Sequence, residues 1–207
     1  MQGKLITFEG GDGAGKSTQI RLVGDLLRQL GCEVVVTREP GGCDLAEKIR
    51  ALLVTGEPGG MAPATELLLM EAARAEHVAQ VIRPALEQGA WVLCDRFFDS
   101  TTAYQGYGRG MDLTWIDTLN RWATGDLIPD RTFYLDLDPE AGVSRSQGGE
   151  ESRFEREGGA FHRRVREGFL NLAGRFPQRL RLIDATRDPD GVFQQIRQGM
   201  GDLLEAT

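Results

Sequence analysis

The octapeptide Gly10-Gly11-Asp12-Gly13-Ala14-Gly15-Lys16-Ser17 follows the apolar run Leu5-Ile6-Thr7-Phe8-Glu9 without a break. It fits the pattern G-x-x-x-x-G-K-[ST], which works only between the end of a buried strand and the start of a helix. The β-branched and aromatic run before it reads as that strand, and residues 17–30 read as that helix. Glycines let backbone N–H groups converge on a polyphosphate, and the helix N-terminus adds partial positive charge. In that arrangement Lys16 reaches the β- and γ-phosphates of a nucleotide and the Ser17 hydroxyl ligates Mg²⁺.

Four more apolar runs, at 33–37, 91–94, 132–137 and 180–183, read as buried strands. Helical patterns at 17–30, 44–53, 65–88, 115–123, 161–175 and 191–204 separate them. Strands alternating with helices predict an α/β fold, a five-stranded parallel sheet with helices on both faces, within one domain spanning 1–207. Ligands of such sheets bind beyond the carboxyl ends of the strands. Residues 55–63, with three glycines and two prolines, read as a loop, and the hydrophilic segment 144–159 as a small mobile lid.

A net charge of −7 argues against generic nucleic-acid or membrane-surface binding. Lysine occurs only at 4, 16 and 48, and the other 21 of the 24 basic residues are arginine, suited to local anion sites. Cys32, Cys43 and Cys94 are odd in number and have no C-x-x-C spacing, so reduced thiols are expected rather than a metal site or disulfides. With no leader pattern and no apolar stretch of membrane-spanning length, the expected location is cytoplasmic.

Two strand ends carry further chemistry. Thr37-Arg38-Glu39-Pro40-Gly41-Gly42 puts an arginine where it can grip a phosphate bidentately. Asp95-Arg96-Phe97 puts a carboxylate where Mg²⁺ is organised beside a phosphate loop, with Arg96 available for a second phosphoryl group. His77 and His162 have no catalytic pairing and stand outside the expected site.

With FEGGDGAGKST (8–18), TREPGG (37–42), LLLMEAARAEH (67–77), DRFFDSTTAYQGYGRG (95–110), TFYLDLDPEAGVSR (132–145) and the run from SRFERE (152–157) to RVREGFLNLA (164–173), the chain resembles the bacterial-type thymidylate kinases, of the P-loop nucleoside monophosphate kinase family. The resemblance covers nearly the whole chain in order. It implies transfer of the ATP γ-phosphoryl group to dTMP on a homodimer, with Mg²⁺ and with no nucleic-acid or membrane partner. Gly10, Gly11, Asp12, Gly13, Ala14, Gly15, Lys16, Ser17 and Thr18 would then bind ATP, and Ser17 and Asp95 the metal.

It further implies that Asp12 accepts from the sugar 3′-hydroxyl and that Arg38 and Arg96 hold the acceptor phosphate. Arg74 would donate to a thymine carbonyl, with Thr101 and Gln105 near the base's polar edge, Ser100 would be a further substrate-binding residue, and Tyr104 would pack where a 2′-hydroxyl would clash. Two positions depart from the family. Met70 stands where a phenylalanine usually stacks on thymine, and Gly13 leaves the phosphate loop without an arginine. The transition-state arginine is therefore expected from the lid: Arg153 first, with Arg145 and Arg156 in reserve alongside Lys16, Asp95 and Arg96 as the catalytic set. The competing readings are another deoxynucleoside monophosphate kinase and a catalytically silent nucleotide-binding paralogue.

Overall fold

In the computed structural model, which describes residues 3–145 and 152–204, the five apolar runs form one parallel sheet. Its strands are β1 (Lys4–Glu9), β2 (Val34–Arg38), β3 (Trp91–Asp95), β4 (Arg131–Asp136) and β5 (Leu180–Asp184), in the order β2-β3-β1-β4-β5. Three of them run one residue further at the carboxyl end than the apolar pattern suggests, taking in Arg38, Asp95 and Asp184. The ladder absorbs these polar residues because pairing depends on backbone groups, whatever the side chain. In register, Asp95 stands beside Phe8 on one side and Arg38 on the other.

The helices are α1 (Lys16–Gln29), α2 (Asp44–Val54), α3 (Pro63–His77), α4 (Arg83–Glu87), α5 (Phe98–Thr101), α6 (Leu113–Thr124), α7 (Pro139–Arg145), α8 (Gly159–Arg175), α9 (Pro189–Gly199) and α10 (Gly201–Leu204). One face of the sheet is closed by α1 and α9, with Val23, Leu27 and Ile196 packed on Phe8, Leu93 and Phe133. On the other face Val78 and Ile82 cover Leu5 and Val92, while an aromatic group of Tyr104, Tyr134, Phe161 and Phe169 lies under α8. A sheet buried on both faces explains why its strands read as near-continuous apolar runs. Buried Thr7 is tolerated in β1 because its hydroxyl bonds that of Thr132 at 2.7 Å.

The long helix expected over 65–88 is interrupted by a π-helical turn, Val78–Ile82, between α3 and α4. Pro84 is the cause: it has no N–H to donate and its ring would strike the carbonyl one turn back, so the preceding turn widens. A second π segment, Thr102–Gly108, continues α5, and neither α5 nor α7 was legible as a helix. The last helix divides at Met200 into α9 and α10, and α9 is capped by the preceding Asp188, whose carboxylate accepts from Gly191 N at 2.7 Å. The expected lid, 144–159, falls in part outside the described residues, at 146–151.

One contact sets the distance between the phosphate loop and α7. Gly13 has φ +74°, and a Cβ there would run into Gly142 O; a Cβ on Gly142 would sit 2.5 Å from Asp12 O. Two glycines thus let two backbones touch, and no arginine fits at position 13. Gly13→Ala adds left-handed strain to that clash and should lose about 2 kcal/mol or more of unfolding free energy in urea titration.

Candidate active site

Gly15, at φ 91°, turns the chain into α1, whose first turn carries no acidic residue to compete with an anion. Lys16 folds back on the loop, its ammonium donating to Gly10 O at 3.1 Å and Gly11 O at 3.0 Å. Burial, followed by the nearby Arg96 charge, lowers its pKa. Ser17 and Thr18 are exposed on the opening turn of α1. Burial pushes the Asp12 carboxyl up, but Arg96 and Lys16 outweigh it and hold the pKa below the usual value.

Arg96 leaves β3 with φ 68°, a strained conformation for a residue other than glycine, fixed by its N–H donating to Phe8 O at 2.9 Å. Its guanidinium donates to Asp12 Oδ1 at 3.1 Å and lies 5.3 Å from the Tyr104 ring centre. Arg38 is half-exposed and donates to both oxygens of Glu47, at 3.1 and 2.9 Å. Asp95 Oδ1 is buried with no hydrogen-bond partner among the described residues. An orphaned carboxylate oxygen one strand from the phosphate loop suits a Mg²⁺ shell made mostly of water and phosphate oxygens, which needs few protein ligands.

Beside these groups opens a cavity of about 820 Å³ that brings together Asp12, Met70, Arg74, Arg96, Ser100, Thr101, Tyr104 and Gln105. Its floor is built on Arg74, which is buried and donates to Glu39 (2.8 Å), Glu71 (2.8 Å), Asn120 (2.9 Å) and Thr101 (2.9 Å). Burial alone would lower the Arg74 pKa, but Glu71 and Glu39 raise it, so this cation is permanent. Tyr104 stands edge-on to Phe154, Phe161 and Phe169 at 6.0 to 6.4 Å. Burial pushes its hydroxyl up to about 12. His77 is structural, bridging Thr37 and Glu39 at 2.7 and 3.0 Å.

Sequence reasoning missed several lining residues, among them Arg50, Phe97, Phe154 and Glu155. Arg50 donates to Pro40 O at 2.8 Å, and the Arg38 charge helps to lower its pKa after burial, a sign of crowded cations. Its spacing one turn after Glu47 was the only available signal.

The expected lid arginines divide. Arg153 is 1% exposed and does not join Lys16 and Arg96. Its Nη2 forms a 2.8 Å ion pair with Glu66, its Nε donates to Leu53 O at 3.2 Å, and its Nη1 is buried with no hydrogen-bond partner among the described residues. In this conformation it anchors segment 152–157 to α2 and α3, because a buried carboxylate attracts it more strongly than an open loop would. Arg145 donates to Ala185 O at 2.9 Å, after the end of β5, and Arg156 pairs with exposed Glu57 at 3.3 Å.

The Thymidylate kinase family model matches residues 8–196. A thymidylate kinase of Magnetococcus marinus is 56% identical over 187 residues, covering 89% of each chain, and one of Pelotomaculum thermopropionicum is 49% identical over 100% of this chain and 96% of its own. The crystal structure of thymidylate kinase from Ehrlichia chaffeensis superposes with a TM-score of 0.79 at 38% identity, covering 96% of this chain and 98% of that one.

Glu9, at the end of β1, is wholly buried. Burial, then repulsion from Asp99, raises its pKa to about 8, even though Phe97 N donates to it at 2.8 Å and Ser100 Oγ lies 2.5 Å from its Oε2. The folded protein therefore holds a proton that the unfolded chain releases near pH 4.5. Stability from this group is complete below pH 4.5, falls as pH rises to about 8, and is level above that. Glu9→Gln, neutral and of the same shape, should flatten the fall in Tm between pH 6 and pH 9 and melt above the wild type at pH 9.

Proposed function

The chain belongs to the thymidylate kinase family, and from that premise we propose how its residues transfer the γ-phosphoryl group of ATP to dTMP, giving dTDP and ADP. One observation carries the reading: a single cavity joins a base-sized pocket, floored by Arg74 and walled by Met70 and Tyr104, to Asp12 and Arg96 at the phosphate loop.

ATP lies with its phosphates in the loop 10–18, where Lys16 exchanges its two loop carbonyls for β- and γ-phosphate oxygens. dTMP enters the cavity with its base over Arg74, Thr101 and Gln105, its sugar against Tyr104 and its 3′-hydroxyl on Asp12. Arg38 and Arg96 hold its phosphate, and Ser100 lies next to Arg96 at 3.4 Å. An oxygen of that phosphate attacks the γ-phosphorus in line, the bond to the β-phosphate oxygen breaks, and ADP leaves with the electron pair. Positioning and charge neutralisation do most of this work. Ser17 and Asp95 would hold Mg²⁺, which would supply neutralisation of part of the phosphate charge. Arg153 can serve the transferred group only after leaving Glu66 and Leu53 O, whereas Arg145 would leave Ala185 O and Arg156 the exposed Glu57. The silent-paralogue reading is not favoured, since Lys16, Ser17, Arg38, Asp95 and Arg96 are all intact.

We also read the assembly as a homodimer. Leu52 on α2, Leu68 on α3, and Trp115 and Trp122 on α6 are all exposed, the last by 80%, and these three helices pack side by side. The two tryptophans are seven residues apart and so share one helix face. Apolar area of this kind on adjoining helices marks an interaction surface. No helix among the described residues is long and apolar enough to cross a membrane.

ADP release from Mg·ATP should be fast with dTMP and slow with dCMP or dGMP, and Lys16→Met should lose transfer by 10³-fold or more with its Tm unchanged; equal turnover on all acceptors would sink the assignment. In light scattering the wild type should have twice the chain mass, and the pair Trp115→Glu with Trp122→Glu the mass of one chain.

A further inference from the structure

Glu66, on the first turn of α3, is 1% exposed and lies behind the cavity rather than among its lining residues. Its Oε1 accepts from Gln105 Nε2 at 2.8 Å and from Arg109 Nε at 3.1 Å. Its Oε2 accepts from Arg109 Nη2 at 3.1 Å and pairs with Arg153 Nη2 at 2.8 Å. As the carboxylate of two ion pairs it has only lone pairs to offer. The Gln105 amide therefore has one permitted orientation, with its nitrogen on Glu66. Turned over, it would set carbonyl oxygen against carboxylate in a buried site. No donor among the described residues reaches Gln105 Oε1, and Gln105 lines the cavity.

We infer that Glu66 is a positioning residue for base selection: by fixing the Gln105 amide it presents an acceptor to the base edge, so that the site takes a pyrimidine with an N3–H and rejects one with a bare N3. This rests on the reading that dTMP is the acceptor, with Arg74 on its carbonyl. Thr101 supports the same polarity. Its oxygen already accepts from Arg74 at 2.9 Å, so its hydroxyl proton is free for a carbonyl. Thymine and uracil present carbonyl, N3–H, carbonyl along this edge. Cytosine presents an amino group and an unprotonated N3, which would face Arg74 donors and a Gln105 acceptor with both polarities reversed. A site built to hydrogen-bond a polar group discriminates far more strongly than an apolar pocket, by about 10⁴-fold or more.

The test is kcat/KM for dTMP and for dCMP in the wild type, Glu66→Gln, Gln105→Leu and the double variant, each checked for folding by its melting curve. In Glu66→Gln the two amides can pair either way round, so the dTMP:dCMP ratio should fall by about tenfold or more. In the Gln105→Leu background the same change should alter the ratio by less than about twofold, because the group through which Glu66 acts is gone. A purely structural Glu66 would lower both substrates alike and leave the ratio intact in either background; that result overturns the inference. Should Glu66→Gln fail to fold, Glu66→Asp keeps the charge for Arg109 and Arg153 while drawing back from Gln105, and the same fall in ratio is required of it. A wild type inactive on dTMP would instead overturn the acceptor reading beneath.

Discussion

The acceptor side of this molecule depends on keeping one guanidinium out of water. Arg74 is buried on α3, and its hydrogen bonds reach the loop after β2 through Glu39, its own helix through Glu71, α5 through Thr101 and α6 through Asn120. Burying a cation costs several kcal/mol, and removing one partner of such a set typically costs about 3–5 kcal/mol because the remaining charge is left alone. Those four segments therefore cannot move independently. Even the cost is shared unevenly: burial raises the Glu71 pKa despite Arg74 beside it, while Glu39 also holds the His77 ring. The floor of the cavity is thus an ion network tying four segments together.

The sheet does the complementary work for the donor side. β1 lies in the middle, between β3 and β4, so the phosphate loop leaves the centre of the sheet and Asp95-Arg96 leaves the next strand. Backbone bonds continue past the ladder, with Arg96 N on Phe8 O and Glu39 N on Asp95 O, both at 2.9 Å. Phosphoryl transfer asks above all for two anions held at a set distance, and adjacent parallel strands set it. Membership of the thymidylate kinase family thus corresponds to a spacing written into the order of the strands.

The strands, the phosphate loop and the strand-end residues were legible because each is a local signal. A run of apolar residues, a glycine pattern and a charged residue at a run's end all lie within a few positions of one another. Glu66 was not legible: in sequence it is one more acidic residue in the first turn of a helix, and its partners lie 39 and 43 residues away. Arg153 was read from its place in a hydrophilic segment, where an arginine is ordinarily solvated, but its partner Leu53 lies 100 residues back. Glu9 looked like the polar end of a strand and is in fact wholly buried against the turn carrying Phe97 and Ser100. The π turns escaped for a related reason, since helical periodicity cannot register a single inserted residue.

The two arginines assigned to the acceptor phosphate are already occupied, Arg38 by Glu47 and Arg96 by Asp12. An anion arriving here displaces carboxylates from guanidiniums and sets them free toward water, so the event is an ion exchange and not the filling of an electropositive hole. Because each guanidinium already faces a carboxylate, the local charge is nearly balanced before an anion arrives. Binding should then respond to ionic strength far less steeply than at a bare arginine cluster, and the same carboxylates would expel any monovalent anion too weak to replace both of them.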